Sequence, residues 1–253
     1  MRARPSRTGR VLAAGALVAG AWALSHAGLA AVRQDAAPQP VAVPLPTRPP
    51  DGAIVLMDEK EDTLKANWFR RGSKEPAAWE VSPDGAATTP EHPKQHDITS
   101  REEFGDSYVH LEFRCPADGD GKPIGSGNSG VGLQGRYEVQ ILNSYGQQPE
   151  AHQCGALYSQ KAPRVIASRK AGEWQTYDIV FRAPRFDADG KVTEQARATV
   201  FQNGIVVQNN EAFNGPTGIQ YGDFPGEVKA GPMVLQGDHE RVSYRNIWVV
   251  PLS

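Results

Sequence analysis

The chain has 253 residues, with 27 lysines and arginines against 29 aspartates and glutamates, a formal net charge of −2. Nucleic acid and anionic membrane surfaces both select basic faces, so neither fits as a partner. Beyond the N-terminal region the length suits one all-β domain of about 200 residues.

Arg2, Arg4, Arg7 and Arg10 precede an apolar run from Val11 to Leu24, and small residues follow around Ala27 to Ala31. This is the layout of a secretory signal peptide over residues 1–31, with an apolar run short for a membrane span. Residues 1–31 hold no Arg-Arg pair and no cysteine to support a twin-arginine route or a lipid anchor. The expected location is periplasmic or secreted, with no membrane span after cleavage; an uncleaved N-terminal anchor is the alternative. Removing the four arginines leaves 23 basic against 29 acidic residues, a net charge of −6, which suits a neutral ligand. Residues 32–50 carry Pro38, Pro40, Pro44, Pro46, Pro49 and Pro50 and read as an extended linker. Residues 51–253 make up the expected domain.

No segment after Pro50 keeps a helical period for three turns. Short period-two runs occur instead at 108–114, 130–133, 137–142, 176–182, 196–202, 205–208, 233–236 and 244–250, separated by Gly, Pro, Asn and Asp clusters. Asn203-Gly204 suits the positive dihedrals of a two-residue hairpin turn, and Asp187-Ala-Asp-Gly190 marks another turn. Many evenly spaced strands of this kind predict a β-sandwich or jelly roll. Cys115 and Cys154 show no zinc-type spacing. In an exported chain they either bridge or remain two separate buried thiols.

The stretch Gly127–Gly146 carries the clearest site signal. Arg136, Glu138 and Gln140 alternate with Tyr137, Val139 and Ile141, so one strand face is apolar and the other holds a cation, a carboxylate and an amide. The run 108–114 behaves similarly: Val109, Leu111 and Phe113 oppose His110, Glu112 and Arg114. If the sheet curves, both polar faces line one concave groove. Gln236 ends an apolar strand, and Asp238 and His239 follow in a turn, where a histidine beside a carboxylate can act as base, proton donor or metal ligand. In the last run Tyr244, Asn246 and Trp248 alternate with Arg245, Ile247 and Val249, and the strand is expected to serve the core.

Four separated stretches resemble one family: Gly127–Gly146, Cys154–Tyr158, Gly172–Asp178, and Gly231–Gln236 with Tyr244–Trp248. Together they look like the 3-keto-disaccharide hydrolase domain, over about Ile54 to Leu252. The resemblance implies a concanavalin/laminarinase-like jelly-roll β-sandwich and a carbohydrate substrate whose C3 hydroxyl has been oxidised to a ketone. A C3 carbonyl acidifies the C2 hydrogen; a base removes it, the C1 glycosidic oxygen is eliminated, and water adds. That chemistry needs a positioned base and stabilisation of the developing oxyanion. Glu138 is the expected base, with His239 as second catalytic group and His110 as an alternative. His110, Glu112, Asn128, Gln134, Arg136, Gln140 and Gln236 are the expected substrate-binding set. A divalent metal ion is an open option: His110, Glu112, Glu138, Asp238 and His239 have suitable chemistry without tight spacing, and the Asp118-Gly-Asp-Gly121 loop offers oxygen ligands but reads first as a turn.

Two alternatives remain. A retaining glycosidase needs two carboxylates about 5 Å apart, whereas the run Glu138-Val-Gln140-Ile-Leu-Asn143 has amides where laminarinase-like enzymes place acids. A non-catalytic carbohydrate-binding module wants the same polar groove, with Tyr145, Tyr158 or Trp174 as the stacking ring.

Overall fold

The computed structural model describes residues 41–58, 60–117, 127–218 and 221–252. The expected signal peptide, residues 32–40 of the 32–50 segment and the Asp118–Gly121 loop lie outside these. In chain order the elements begin with β1 (Ile54–Met57), a seven-residue helix α1 (Glu61–Asn67), β2 (Trp68–Arg70), β3 (Glu80–Val81) and β4 (Ala87–Thr88). Then come β5 (Ile98–Phe104), β6 (Ser107–Arg114), β7 (Ser129–Leu133), β8 (Tyr137–Ile141) and β9 (Gln175–Arg182). The short β10 (Arg185–Phe186) and β11 (Val192–Glu194) precede β12 (Arg197–Gln202), β13 (Ile205–Ala212), β14 (Gly231–Leu235) and β15 (Ser243–Pro251).

A strand with one apolar face must cover it, and stacking two sheets takes both apolar faces out of water at once. The larger sheet runs β13–β12–β9–β6–β15–β4–β3 with β1 beside β15; the smaller runs β2–β5–β14–β7–β8. The chain crosses between the sheets repeatedly: from β1 to β2, β2 to β3, β4 to β5, β5 to β6, β6 to β7, β8 to β9, β13 to β14, and β14 to β15. This antiparallel, interleaved arrangement is a jelly-roll β-sandwich, the fold class expected.

The core lies between the sheets. Tyr137 of β8 meets Phe181 of β9 and Phe213, with ring centroids 5.6 and 5.1 Å apart, and Phe113 of β6 meets Tyr177 of β9 at 4.8 Å. Two phenols bridge the layers: Tyr177 donates to the Gln140 carbonyl at 2.6 Å, and the Tyr244 hydroxyl lies 2.5 Å from Ser129 Oγ. Burial raises both phenols above their ordinary value, so they stay donors. Cys115 and Cys154 are both free and buried, and burial pushes their thiols up.

The Asn203-Gly204 turn forms as expected, with φ of 54° and 78° between the paired ends Gln202 and Ile205. The strand β5 escaped the periodicity because Arg101, Glu102 and Glu103 sit exposed in its middle. Pairing with β2 on one side and β14 on the other overrides that local polarity.

The last strand departs from simple alternation. A bulge between Arg245 and Trp248, with Asn246 at φ 48°, resets its phase. Tyr244, Ile247 and Val249 therefore join the core, while Arg245 and Trp248 pair with Glu112 and His110, which face outward. The described end of the proline-rich segment lies against the domain: Val43 N–H donates to the Gly204 carbonyl at 2.9 Å, and the Thr47 carbonyl accepts from Asn246 at 2.7 Å. Among the described residues no helix is long and apolar enough to cross a membrane.

Candidate active site

Tyr137, Val139 and Ile141 enter the core, so Arg136, Glu138 and Gln140 point to the outer face of the smaller sheet. Gly132 of β7 pairs with Glu138 and Gly130 with Gln140, and the Gln236 N–H donates to the Gly130 carbonyl at 3.1 Å. Glu138, Gln140 and Gln236 thus share one patch whose middle strand offers only glycines. The glycines are required: a Cβ on Gly130 would fall inside the Glu138 carboxylate, and one on Gly132 would stand 2.6 Å from the Tyr221 ring.

The Glu138 backbone is held on both sides. Its N–H donates to Thr217 Oγ1 at 3.0 Å, and its carbonyl accepts from Tyr158 N–H at 3.1 Å. These contacts cover β8, an edge strand, and fix the carboxylate's direction. The side chain is 1% exposed. With the Gln140 amide turned so that its nitrogen donates, it reaches Glu138 Oε1 at 3.1 Å and the Ser129 carbonyl at 2.8 Å. Asn128 lies 3.2 Å from the same amide.

A loop from Tyr221 to Glu227 covers this patch. Tyr221 accepts a hydrogen bond from Gln236 Nε2 at 3.2 Å. Arg71 donates to Asp97 Oδ2 at 2.7 Å, forms a two-toothed pair with Asp223, and stands 5.2 Å from the Tyr221 ring centroid and 5.6 Å from that of Phe224. The two carboxylates respond oppositely. The hydrogen bond from Arg71 holds half-exposed Asp223 below its usual range. Burial raises Asp97, and the neighbouring charge of Asp238 adds to the rise. Burial also pushes the Tyr221 phenol well up, with Glu138 and Asp97 as further causes. Arg71, Asp97, Thr217, Tyr221 and Asp223 were missed by sequence reasoning, because they come from other elements and loops. The alternating glycines of Ser129-Gly-Val-Gly-Leu133 were the legible signal that something large lies over that face.

Other expected residues fall elsewhere. Arg136 turns its guanidinium to the carbonyls of Gly226 at 2.6 Å, Gln134 at 2.6 Å and Pro225 at 3.3 Å, and thereby ties down the covering loop. Gln134 occupies the tight β7–β8 turn at φ 53°, donating to Phe104 and Lys229 carbonyls, each at 3.1 Å. His239 lies in the exposed bend after β14, 3.4 Å from Asp238. The expectation that His110 and Glu112 share a groove with Glu138 is corrected. Val109, Leu111 and Phe113 face the core from the larger sheet, so His110 and Glu112 lie on the opposite outer side of the sandwich. There His110 Nδ1 is 2.7 Å from Asp178, its ring stacks 4.8 Å from Trp248, and Asn246 donates to Nε2 at 3.3 Å. Glu112 accepts from Arg245 at 2.7 Å and Asn246 at 2.9 Å. Trp174 lies on that side too, between Arg114 and Arg245. A cavity of about 590 Å³ opens there beside Glu112, Arg245 and Thr47, but no part of it reaches Glu138. Among the described residues no three His, Cys, Asp or Glu side chains converge as metal ligands.

A carboxylate held out of water among amides, on the outer face of a jelly-roll sheet, suits recognition of a hydroxylated ligand, and the comparisons agree that this is a carbohydrate-active protein. Residues 52–250 match the 3-keto-alpha-glucoside-1,2-lyase-like domain, and the chain belongs to that family. A solved structure from Parabacteroides distasonis, provisionally assigned as a glycosyl hydrolase, is 37% identical, with a TM-score of 0.68 over 80% of this chain and 84% of that one. A second one from the same organism, assigned in the same way, shares the fold at 15% identity, with a TM-score of 0.57 over 80% of this chain and 95% of that one. No curated protein matches the chain.

Proposed function

We propose that the protein cleaves the glycosidic bond of 3-keto-glycosides by base-initiated elimination, with water adding afterwards to complete hydrolysis. The observation that carries this reading is the Glu138 carboxylate, 1% exposed and braced from both sides of its backbone. A general base works best when fixed in direction and shielded from water. Glu138 takes the C2 hydrogen, Gln140 and Gln236 hold sugar hydroxyls from the same patch, and Asn128, just before β7, extends the set beside Gln140. His239, exposed in the bend after β14 beside Asp238, has no contact with this patch and takes no part in the proposed step. The N-terminal segment directs the chain to the periplasm or the medium.

The two-acid retaining mechanism has little support. It needs a second carboxylate about 5 Å from the first, and Glu112, the partner it would have to recruit, lies on the other side of the sandwich. Binding without catalysis is the second reading. It is favoured by the burial of Glu138 and its contact with the Gln140 amide, which a purely structural carboxylate would also show.

The deciding experiment is a product assay on a 3-keto-disaccharide and on its unoxidised parent, with wild type and Glu138→Gln, with and without chelator. Cleavage of the keto sugar alone, reduced at least about a hundredfold in Glu138→Gln, is expected. Retained binding without turnover of either sugar would move the protein to the binding class.

A further inference from the structure

Tyr221 is 2% exposed, yet it does not belong to the core between the sheets. It lies instead on the Glu138 side of the smaller sheet, over Gly132, while the Glu138 carboxylate lies over Gly130. Two residues along a strand advance about 7 Å, so a phenol and a carboxylate address one patch from neighbouring positions. Gln236 Nε2 donates to the phenol oxygen at 3.2 Å, which leaves the phenol's own hydrogen to be given. Burial and the nearby negative charges keep that hydrogen in place at any working pH. The ring is also anchored. Arg71 stands 5.2 Å from its centroid and is itself fixed by Asp97 and Asp223.

We propose that Tyr221 is a catalytic residue that donates its hydroxyl to the C3 oxygen of the 3-keto sugar, with Arg71 and Asp223 as its positioning residues. This rests on the elimination reading above. As Glu138 takes the C2 proton, the C2–H pair becomes the C2–C3 double bond and the carbonyl pair moves onto the C3 oxygen. The charge grows on the oxygen to which Tyr221 donates. The pair then returns: the C3 carbonyl re-forms, the C1–C2 double bond forms, and the C1–O bond breaks with its electrons on the leaving oxygen, which takes a proton. No oxidant or reductant is consumed. A donor fixed beforehand at the atom that becomes charged does most of its work in the transition state, so its loss lowers kcat more than it raises KM.

The test measures kcat, KM and exchange of the C2 hydrogen in deuterated water, on a 3-keto-disaccharide, for wild type, Tyr221→Phe, Glu138→Gln and Asp223→Asn. Thermal unfolding of each variant monitors folding. Expected for Tyr221→Phe is a fall of about 10²–10³ in kcat, with KM within about threefold and C2 exchange slowed in parallel. Asp223→Asn changes a half-exposed carboxylate and gives an independent arm. It lowers kcat about tenfold, and Asp223→Glu restores most of the loss. If Tyr221→Phe or Asp223→Asn turns over within about threefold of wild type while Glu138→Gln is inactive, the proposal is overturned and the base assignment stands. If wild type itself neither cleaves the keto sugar nor exchanges its C2 hydrogen, the elimination reading fails and takes this proposal with it.

Discussion

At the scale of single residues, the chemistry of the site depends on what is missing as much as on what is present. Gly130 and Gly132 leave room for Glu138 and Tyr221 to lie flat on β7, and a methyl group at either would collide with them. Gly130 has ordinary backbone dihedrals, so its substitution tests space and not strain. Gly130→Ala is expected to fold, because alanine suits an extended strand better than glycine does. It should nevertheless lower kcat at least about tenfold by displacing the carboxylate, since even a small misplacement of a reacting group is costly. Steady-state kinetics together with a circular dichroism melt check both halves. A variant with wild-type kcat would show that the Glu138 position is not critical. Residue types along β8 announced the carboxylate and its amide neighbours. They did not announce Arg136's preference for backbone carbonyls, because a guanidinium facing a sugar and one facing a loop read alike in sequence.

At the scale of elements, the covering loop is held by charge. Asp223 in the folded protein sits below its usual range because Arg71 donates to it. A depressed folded-state value means the pair's stabilisation is fully present above the ordinary carboxylate value of about 3.9. It is lost as pH falls through the lower folded value. The difference in thermal midpoint between wild type and Asp223→Asn should therefore stay level from pH 8 to about 5 and close only in stronger acid. A difference that closes near neutrality would contradict the assignment. Asp97 works in the other sense, since burial raises it and its ionisation opposes folding as pH rises. Most strands were legible: β6, β7, β8, β9, β12 and β15 all follow runs visible in the chain. The strand β5 was hidden by its charged middle, and the bulge at Asn246 was hidden because nothing local marks where alternation resets. Pairing with neighbours decided both.

At the scale of the whole molecule, the sandwich has two polar outer faces with different duties. The face of the larger sheet holds a buried network in which Asp178 accepts from Tyr108 and from His110, each at 2.7 Å. Removing that carboxylate strands the buried His110 donor, which costs roughly 1–3 kcal/mol before relaxation, and frees the part-buried Tyr108 hydroxyl. Asp178→Ala is thus expected to lower the unfolding midpoint by several degrees and leave kcat on the 3-keto sugar within about twofold. Glu138→Gln should show the converse, with activity lost and the midpoint nearly unchanged. Melting curves and kinetics on the two variants separate the faces, and a large kcat loss in Asp178→Ala would rejoin them.

By itself the sequence determined most of the strands, the sandwich or jelly-roll class, and the turns at Asn203-Gly204 and Asp187–Gly190, while the family came from the likeness of four separated stretches. The strands and turns follow from short-range rules: alternation sets which face is buried, and turn residues set where the chain reverses. Only the tertiary structure decided which polar faces meet. His110 and Glu138 lie on strands of the same alternating design, and alternation says that a side chain points away from the core without saying from which sheet. The partners that complete the candidate site come from two distant parts of the chain, Arg71 and Asp97 from one and Thr217, Tyr221 and Asp223 from the other. Strand pairing and loop closure bring them together, and neither leaves a local mark in the sequence.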